Sequence, residues 1–215
     1  MPDFGIINYG AFIAASLILV LTPGPDFLYV LGKSITGGVR IGIASALGVS
    51  GGLFVHTLLV AFGLSVILAS SSTVFWIIKI CGACYLVFMG IRTILSKDKL
   101  ILAAQKNDVK NEVLGRAFGQ GVLTNVMNPK IILFFLAFLP QFINPASVSG
   151  ALPFLVLGFS YIVMSTIWTI IIAAGAGQFK RFLDARPRVS TVTNKVAGVL
   201  YIVLGLSILF TPIPE

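Results

Sequence analysis

Charge is scarce in this sequence. Only 10% of its 215 residues are charged, and the 7 acids are outnumbered by 15 Lys and Arg. So few charges cannot solvate the surface of an ordinary soluble domain. With 57% hydrophobic residues and a mean hydropathy of +1.03, the chain reads as a polytopic membrane protein. Metal-ligand residues are also few: one histidine and two cysteines make no ligand pattern. No metal or cofactor is expected, and no enzymatic chemistry. The formal charge of +8 would suggest nucleic acid in a soluble chain. Here the basic residues fall between apolar runs, where they orient a protein in the bilayer, so no nucleic-acid partner is expected. Met1-Pro2-Asp3 has no basic residue, and no small-residue cleavage site follows the first apolar run. The first helix is therefore expected to be retained. Cys81-x-x-Cys84 lies inside an apolar run. A dithiol is one reading. Lys79 is the only basic residue nearby, so two inert, buried thiols are the expectation.

What is present is a series of six apolar segments, about 6–33, 41–69, 73–95, 117–142, 150–176 and 193–211. Each approaches or exceeds the roughly 20 residues a spanning helix needs. Two are interrupted. In Leu21-Thr22-Pro23-Gly24-Pro25-Asp26, Pro23 and Pro25 remove two backbone donors and Gly24 permits a bend. The helix should stop near Leu21 or Thr22 and restart near Pro25, with Asp26 in the first turn of the second half, where an acid complements the helix dipole. In Thr124-Asn125-Val126-Met127-Asn128-Pro129-Lys130, Pro129 breaks the ladder again, beside two amides and a cation. Interrupted backbone is tolerated in a bilayer only where protein or a water-filled cavity covers it. Ionisable residues there are functional-site candidates.

The two halves repeat. Lys79-x-x-Gly82-x-x-Tyr85 matches Lys195-x-x-Gly198-x-x-Tyr201, Leu47-Gly48-x-Ser50 matches Leu157-Gly158-x-Ser160, and Pro25-Asp26 matches Pro129-Lys130, at offsets of 116, 110 and 104. Three spans per half reverse direction, so the repeats should be inverted. Paired interrupted segments in such repeats are the best sequence pointer to a transporter's binding site. The expected fold is an all-α polytopic membrane protein: six transmembrane helices as two inverted three-helix repeats, helices 1 and 4 broken. It forms one transmembrane domain, with repeat 1 at about 1–95, a solvated cytoplasmic loop at about 96–114 and repeat 2 at about 115–211. Thirteen of the 15 basic residues fall on the side opposite the N-terminus. That side should be cytoplasmic and both termini periplasmic. Asp26, Asn125, Asn128, Lys130 and His56 all come out at similar depth.

On these residues the chain resembles the lysine-exporter superfamily, in its branch of homoserine, homoserine-lactone and threonine exporters. Leu21–Asp26, Asn125–Lys130, Phe134–Phe142 and Gly82-x-x-Tyr85-Leu86 carry the resemblance, which runs from about Ala11 to Leu206. It implies an inner-membrane exporter of amino acids or derivatives, driven by the proton gradient. Which substrate is exported does not carry over, because close relatives differ.

The substrate-binding and proton-coupling candidates are Asp26, Lys130, Asn125, Asn128, Thr22 and His56; the helix-break residues are Pro23, Gly24, Pro25 and Pro129. Asp26 is expected to bind a substrate ammonium, carry the coupling proton, or both. Lys130 is its repeat-mate, expected to pair with it or with a substrate carboxylate. Asn125 and Asn128 either cap broken backbone or bind substrate. His56 is a proton relay or, the preferred reading, a neutral histidine hydrogen-bonded to a neighbouring helix. Ala44 and Gly48-x-x-x-Gly52 mark a face for close helix packing. The expected partners are a small amino-acid substrate, protons and the bilayer, with a homo-oligomer left open. Two other classes remain alternatives: a membrane thiol–disulfide electron carrier, which needs a cysteine in each half, and a passive channel for small solutes.

Overall fold

The structure is a computed structural model. It describes residues 5–64, 72–95, 113–144 and 150–185, with positions 192, 195–196, 198–199, 201–203 and 205–206. The expected loop over 96–112, the turns at 65–71 and 145–149, the side chain of Lys79 and the last residues of the chain lie outside the described residues. Among the described residues the chain is helical, without strands: α1 Tyr9–Leu21, α2 Pro25–Leu59, α3 Ser72–Leu95, α4 Leu114–Val126, α5 Pro129–Leu133, α6 Leu152–Ala174 and α7 Ala176–Ala185. A π-helical turn, Phe134–Phe138, and a 3-10 turn, Leu139–Phe142, prolong α5. Positions 192–206 are helical wherever they are described.

The first break falls where the prolines dictate. α1 ends at Leu21 and α2 begins at Pro25, with Gly24 extended between them. At 35 residues, α2 is too long for one crossing. Gly38, at φ 80° and ψ 174°, interrupts it, in a conformation that disfavours any side chain. Ser34 and Gly42 would lie about 12 Å apart on a straight helix. Instead the Ser34 hydroxyl occupies the space a Cβ on Gly42 would need. The chain therefore doubles back at Gly38.

Two helical stretches, Pro25–Gly63 and Leu152–Ala174, are long and apolar enough to cross a membrane; Leu114–Val126 and Pro129–Phe142 reach that length and apolarity only as a pair, bent by 50° at the break. Tyr9–Leu21 and Ile80–Leu95 are shorter apolar helices. The chain is thus an all-helical, polytopic membrane protein.

Glycine sets the closest helix contacts. A Cβ on Gly48 would strike the Phe118 carbonyl, and one on Gly121 would lie 2.6 Å from Ser45 O. α2 beyond Gly38 and α4 therefore meet backbone to backbone, on the face that Gly48 and Gly52 marked. The matched glycines of the repeat have different neighbours. Gly82 abuts Ala137, whereas Gly198 faces the Gly90 carbonyl. The main core is aromatic: Phe12, Phe134, Phe135, Phe138, Phe142 and Tyr161 interlock, with Phe134 and Tyr161 centroids 4.4 Å apart. A second core centres on Phe27, Val30, Leu31, Val49 and Ile172. The N-terminal stretch is tied to the end of the α5 segment by Ile7 N–H to Phe142 O at 2.9 Å and Asn144 N–H to Gly5 O at 2.8 Å, around an antiparallel Ile6–Ile143 bridge.

One expectation fails here. Cys81 and Cys84 are not buried; both are unpaired and exposed on the outer face of α3. Exposed Ile77, Ile80, Phe88 and Ile91 surround them on the same helix. In a bilayer the outer face of a helix is as apolar as its core face, so apolar neighbours do not imply burial.

Candidate functional site

Each proline break takes the usual donor from a carbonyl one turn earlier. In an unbroken helix Leu19 O would accept from the N–H of residue 23, and Asn125 O from that of residue 129. Both positions are proline and have no N–H. Buried carbonyls need partners: Asn125 O keeps a backbone one, the Asn128 N–H at 2.9 Å, and both carbonyls gain one from another helix. The Lys130 ammonium donates to Leu19 O at 2.8 Å and to Thr22 O at 2.9 Å. His56 Nε2 lies 3.2 Å from Asn125 O. A carbonyl only accepts, so Nε2 carries the hydrogen. The ring also stacks on Phe135, at 5.7 Å between centroids. His56 thus makes the interhelical hydrogen bond preferred for it.

The two charged residues reach across in opposite directions. Lys130, in the first turn of α5, holds the broken end of α1. Asp26, in the first turn of α2, meets the end of α4: Asn125 Nδ2 donates to Asp26 Oδ2 at 2.8 Å. A cation at the C-terminal end of α1 also complements its dipole. Lys130 is 6% exposed and Asn125 fully buried, so both polar groups depend on these bonds. Asn128 caps α5, its Oδ1 accepting from the Lys130 backbone N–H at 3.1 Å. Thr22 is buried, and its hydroxyl donates back to Ile18 O at 2.8 Å.

Asp26 and Lys130 line one cavity but make no direct ion pair; each is held by neutral groups of the other half of the chain. The cavity is lined in addition by Thr22, Asn128, Tyr161, Ser165, Trp168 and Thr169, with Val20, Phe27 and Ile131 as its apolar wall. The space open to the centre of a water molecule is about 30 Å³, room for about two waters. Three atoms on its lining residues are buried without a partner: Asp26 Oδ1, Asn128 Nδ2 and Trp168 Nε1. Buried polar atoms are normally satisfied, so three on one cavity call for an explanation. The Lys130 Nζ also lies 5.9 Å from the Tyr201 ring centroid.

The structure brings together all the residues singled out in the two breaks, along with His56. It adds what the sequence reading missed, namely Tyr161, Ser165, Trp168 and Thr169 of α6. One signal pointed to α6: Ser165-Thr166-Ile167-Trp168-Thr169 is its densest polar run. Tyr85, the repeat-mate of Tyr201, instead packs near Phe88, at 6.1 Å.

Among known proteins, the chain is 27% identical over 203 residues to an uncharacterized membrane protein, YrhP, of Bacillus subtilis, covering 91% of this chain and 95% of that one. It is 26% identical over 204 residues to a leucine efflux protein of Salmonella choleraesuis, covering 93% of each. An uncharacterized membrane protein of Pseudomonas aeruginosa is 28% identical over 215 residues, 97% of each chain. No solved structure matches significantly. The family model of the LysE type translocators matches residues 17–211, which contain both helix breaks and every residue lining the cavity. The chain therefore belongs to the LysE type translocator family, a family of membrane transporters rather than enzymes.

Proposed function

We propose that this protein is a proton-coupled exporter of amino acids or close derivatives in the bacterial inner membrane. In this reading the helices form one transmembrane domain of six spans, as two inverted three-helix repeats with both termini periplasmic. The leucine efflux relatives support an amino-acid substrate. The one-sided distribution of Lys and Arg supports the orientation. The bridge between Ile6 and Ile143 supports a common side for the N-terminus and the end of the α5 segment.

The observation that carries the proposal is a carboxylate and an ammonium facing one cavity without neutralising each other. Asp26 keeps one oxygen unpartnered, and the third N–H of Lys130 has no oxygen acceptor among the described residues. A zwitterion supplies both complements. Its ammonium goes to Asp26; its carboxylate goes toward Lys130 and the half-helix N-termini. Protonation of Asp26 from the periplasmic side removes the charge that holds the ammonium and releases the substrate. The present cavity is too small for an amino acid, so the half-helices must part to admit one, as alternating access requires. The electron-carrier alternative loses ground because the second half of the chain has no cysteine.

Asp26→Asn in proteoliposomes tests the reading. An amide still accepts a hydrogen bond from the ammonium but takes up no proton at neutral pH. Proton-gradient-driven accumulation should be abolished, while some substrate exchange without a gradient survives. Accumulation at the parent rate would remove Asp26 from the coupling step. Equilibration without accumulation by the parent protein would favour the passive channel.

A further inference from the structure

Two donors on the cavity make no close hydrogen bond: Asn128 Nδ2, which lies toward the Asp26 carboxylate, and Trp168 Nε1. Asn128 Oδ1 is committed to the Lys130 backbone N–H, so the amide orientation is fixed by its cap and the NH₂ group must be the free end. Trp168 has only a donor to offer. A buried indole N–H ordinarily finds an acceptor. Both residues line the cavity that holds Asp26 and Lys130.

We propose that Asn128 and Trp168 are the carboxylate-reading residues of the translocation site, and that they restrict its cargo to neutral α-amino acids with an unblocked carboxylate. This rests on the exporter reading and deepens it. A carboxylate offers about four acceptor positions. The third N–H of Lys130, the Asn128 amide and the Trp168 indole supply donors to fill them, and Asp26 Oδ1 takes the ammonium. The charges then balance: one acid and one base in the wall, one of each in the substrate. An amino alcohol, amide or lactone keeps the ammonium but loses the anion. It leaves the site with excess positive charge and under-occupied donors, which a desolvated site rejects strongly. A substrate with a second cation finds no second acid among the described lining residues. Homoserine lactone is thereby set apart from homoserine.

The test uses purified, reconstituted protein. The probe is whichever of labelled leucine, threonine, homoserine, cysteine and lysine the parent moves fastest, with the amino alcohol of that probe as competitor. In the parent the amino alcohol should compete at least about 100-fold more weakly than the unlabelled amino acid. Trp168→Phe keeps an apolar ring and deletes the donor. Asn128→Ser keeps the cap, since Ser caps as well as Asn, and deletes the amide N–H donors without adding an acid. Each should raise KM about 10-fold or more, the loss expected for a hydrogen bond to a charged group. Trp168→Phe should leave the saturated rate near the parent's, and discrimination against the amino alcohol should shrink by the same factor as KM rises. A general packing defect would instead lower the saturated rate and leave discrimination unchanged, and that result would overturn the assignment. So would unchanged KM in both variants, with the exporter reading still standing. Lysine as the fastest-moved probe would overturn the restriction to neutral cargo. A parent that moves none of the five would overturn the exporter reading itself.

Discussion

The two helix breaks occupy matching places in the halves of the chain and solve one backbone problem with different chemistry. At the first, Pro23 and Pro25 strip two donors, and a cation from the other half, Lys130, binds Leu19 O and Thr22 O. At the second, Pro129 strips one donor, and Asn125 O is shared by the Asn128 backbone N–H and the His56 imidazole. The second break is capped within its own strand of sequence by Asn128. The first has no side-chain cap at Gly24. A repeat thus preserves the position of a break and frees the residues around it to diverge. One half contributes the acid, the other the base, and the cavity between them acquires a polarity that two identical halves would lack.

If this asymmetry is functional, disabling each break should have unlike results. The largest effect is expected at Lys130. Lys130→Gln removes the charge and shortens the reach to Leu19 O and Thr22 O. Two charge-assisted hydrogen bonds are lost, on the order of 3–6 kcal/mol in all. Transport should vanish, and thermal unfolding of the detergent-solubilised protein should shift down by several degrees. Asp26→Asn, by contrast, should leave the unfolding temperature close to the parent's. Equal destabilisation by both variants would erase the distinction between a strut at one break and a coupling group at the other.

A smaller effect is expected from Gly52→Ala. The new Cβ would lie 2.6 Å from Asn125 Cβ and 2.7 Å from its Oδ1, so Asn125 must move and its bond to Asp26 must lengthen. Transport should fall about tenfold, with an overpacking cost of about 1–3 kcal/mol. Gly48→Ala presses instead on the Phe118 carbonyl, which is backbone and cannot swing aside. It should cost more stability and act on transport only through the amount of folded protein. Comparing rate per folded molecule for the two variants separates the effects. If they match, Asn125 does not position Asp26.

The smallest effect is expected from His56→Gln. A glutamine N–H can still serve Asn125 O, so the break stays satisfied, and transport should remain within about threefold of the parent. Loss of proton coupling with substrate exchange retained would move His56 from backbone support into the proton path.

Much of this site was legible in the sequence because proline chemistry is local. Pro23, Pro25 and Pro129 fix which N–H groups are missing, and the observed ends at Leu21 and Pro25 follow directly. Membership of Asp26, Asn125, Asn128 and Lys130 in one site followed from matching breaks in the two halves. Their partners did not. Lys130 binds carbonyls 111 and 108 positions earlier, and no local pattern encodes that separation. The contribution of Trp168 was hidden for another reason. In a helix apolar on all sides, hydropathy does not say which face meets protein and which meets lipid. The same ambiguity misplaced Cys81 and Cys84.

The tie between Ile6 and Ile143 gives the assembly a mechanical property. The stretch leading into α1 is fastened to the α5 segment at that bridge, and α1 itself is fastened to α5 again, part-way along, through Lys130. Two bodies pinned at two points retain one rotation, about the line through the pins. Apart from that one rotation, α1 and the 129–144 segment travel together, as a door. α2 and α4, locked backbone to backbone at Gly48 and Gly121, form the frame. The helix breaks at residues 22–24 and 127–128 join door to frame, so the residues proposed to bind the cargo sit beside the axle, where a small turn changes which side they face while displacing them least.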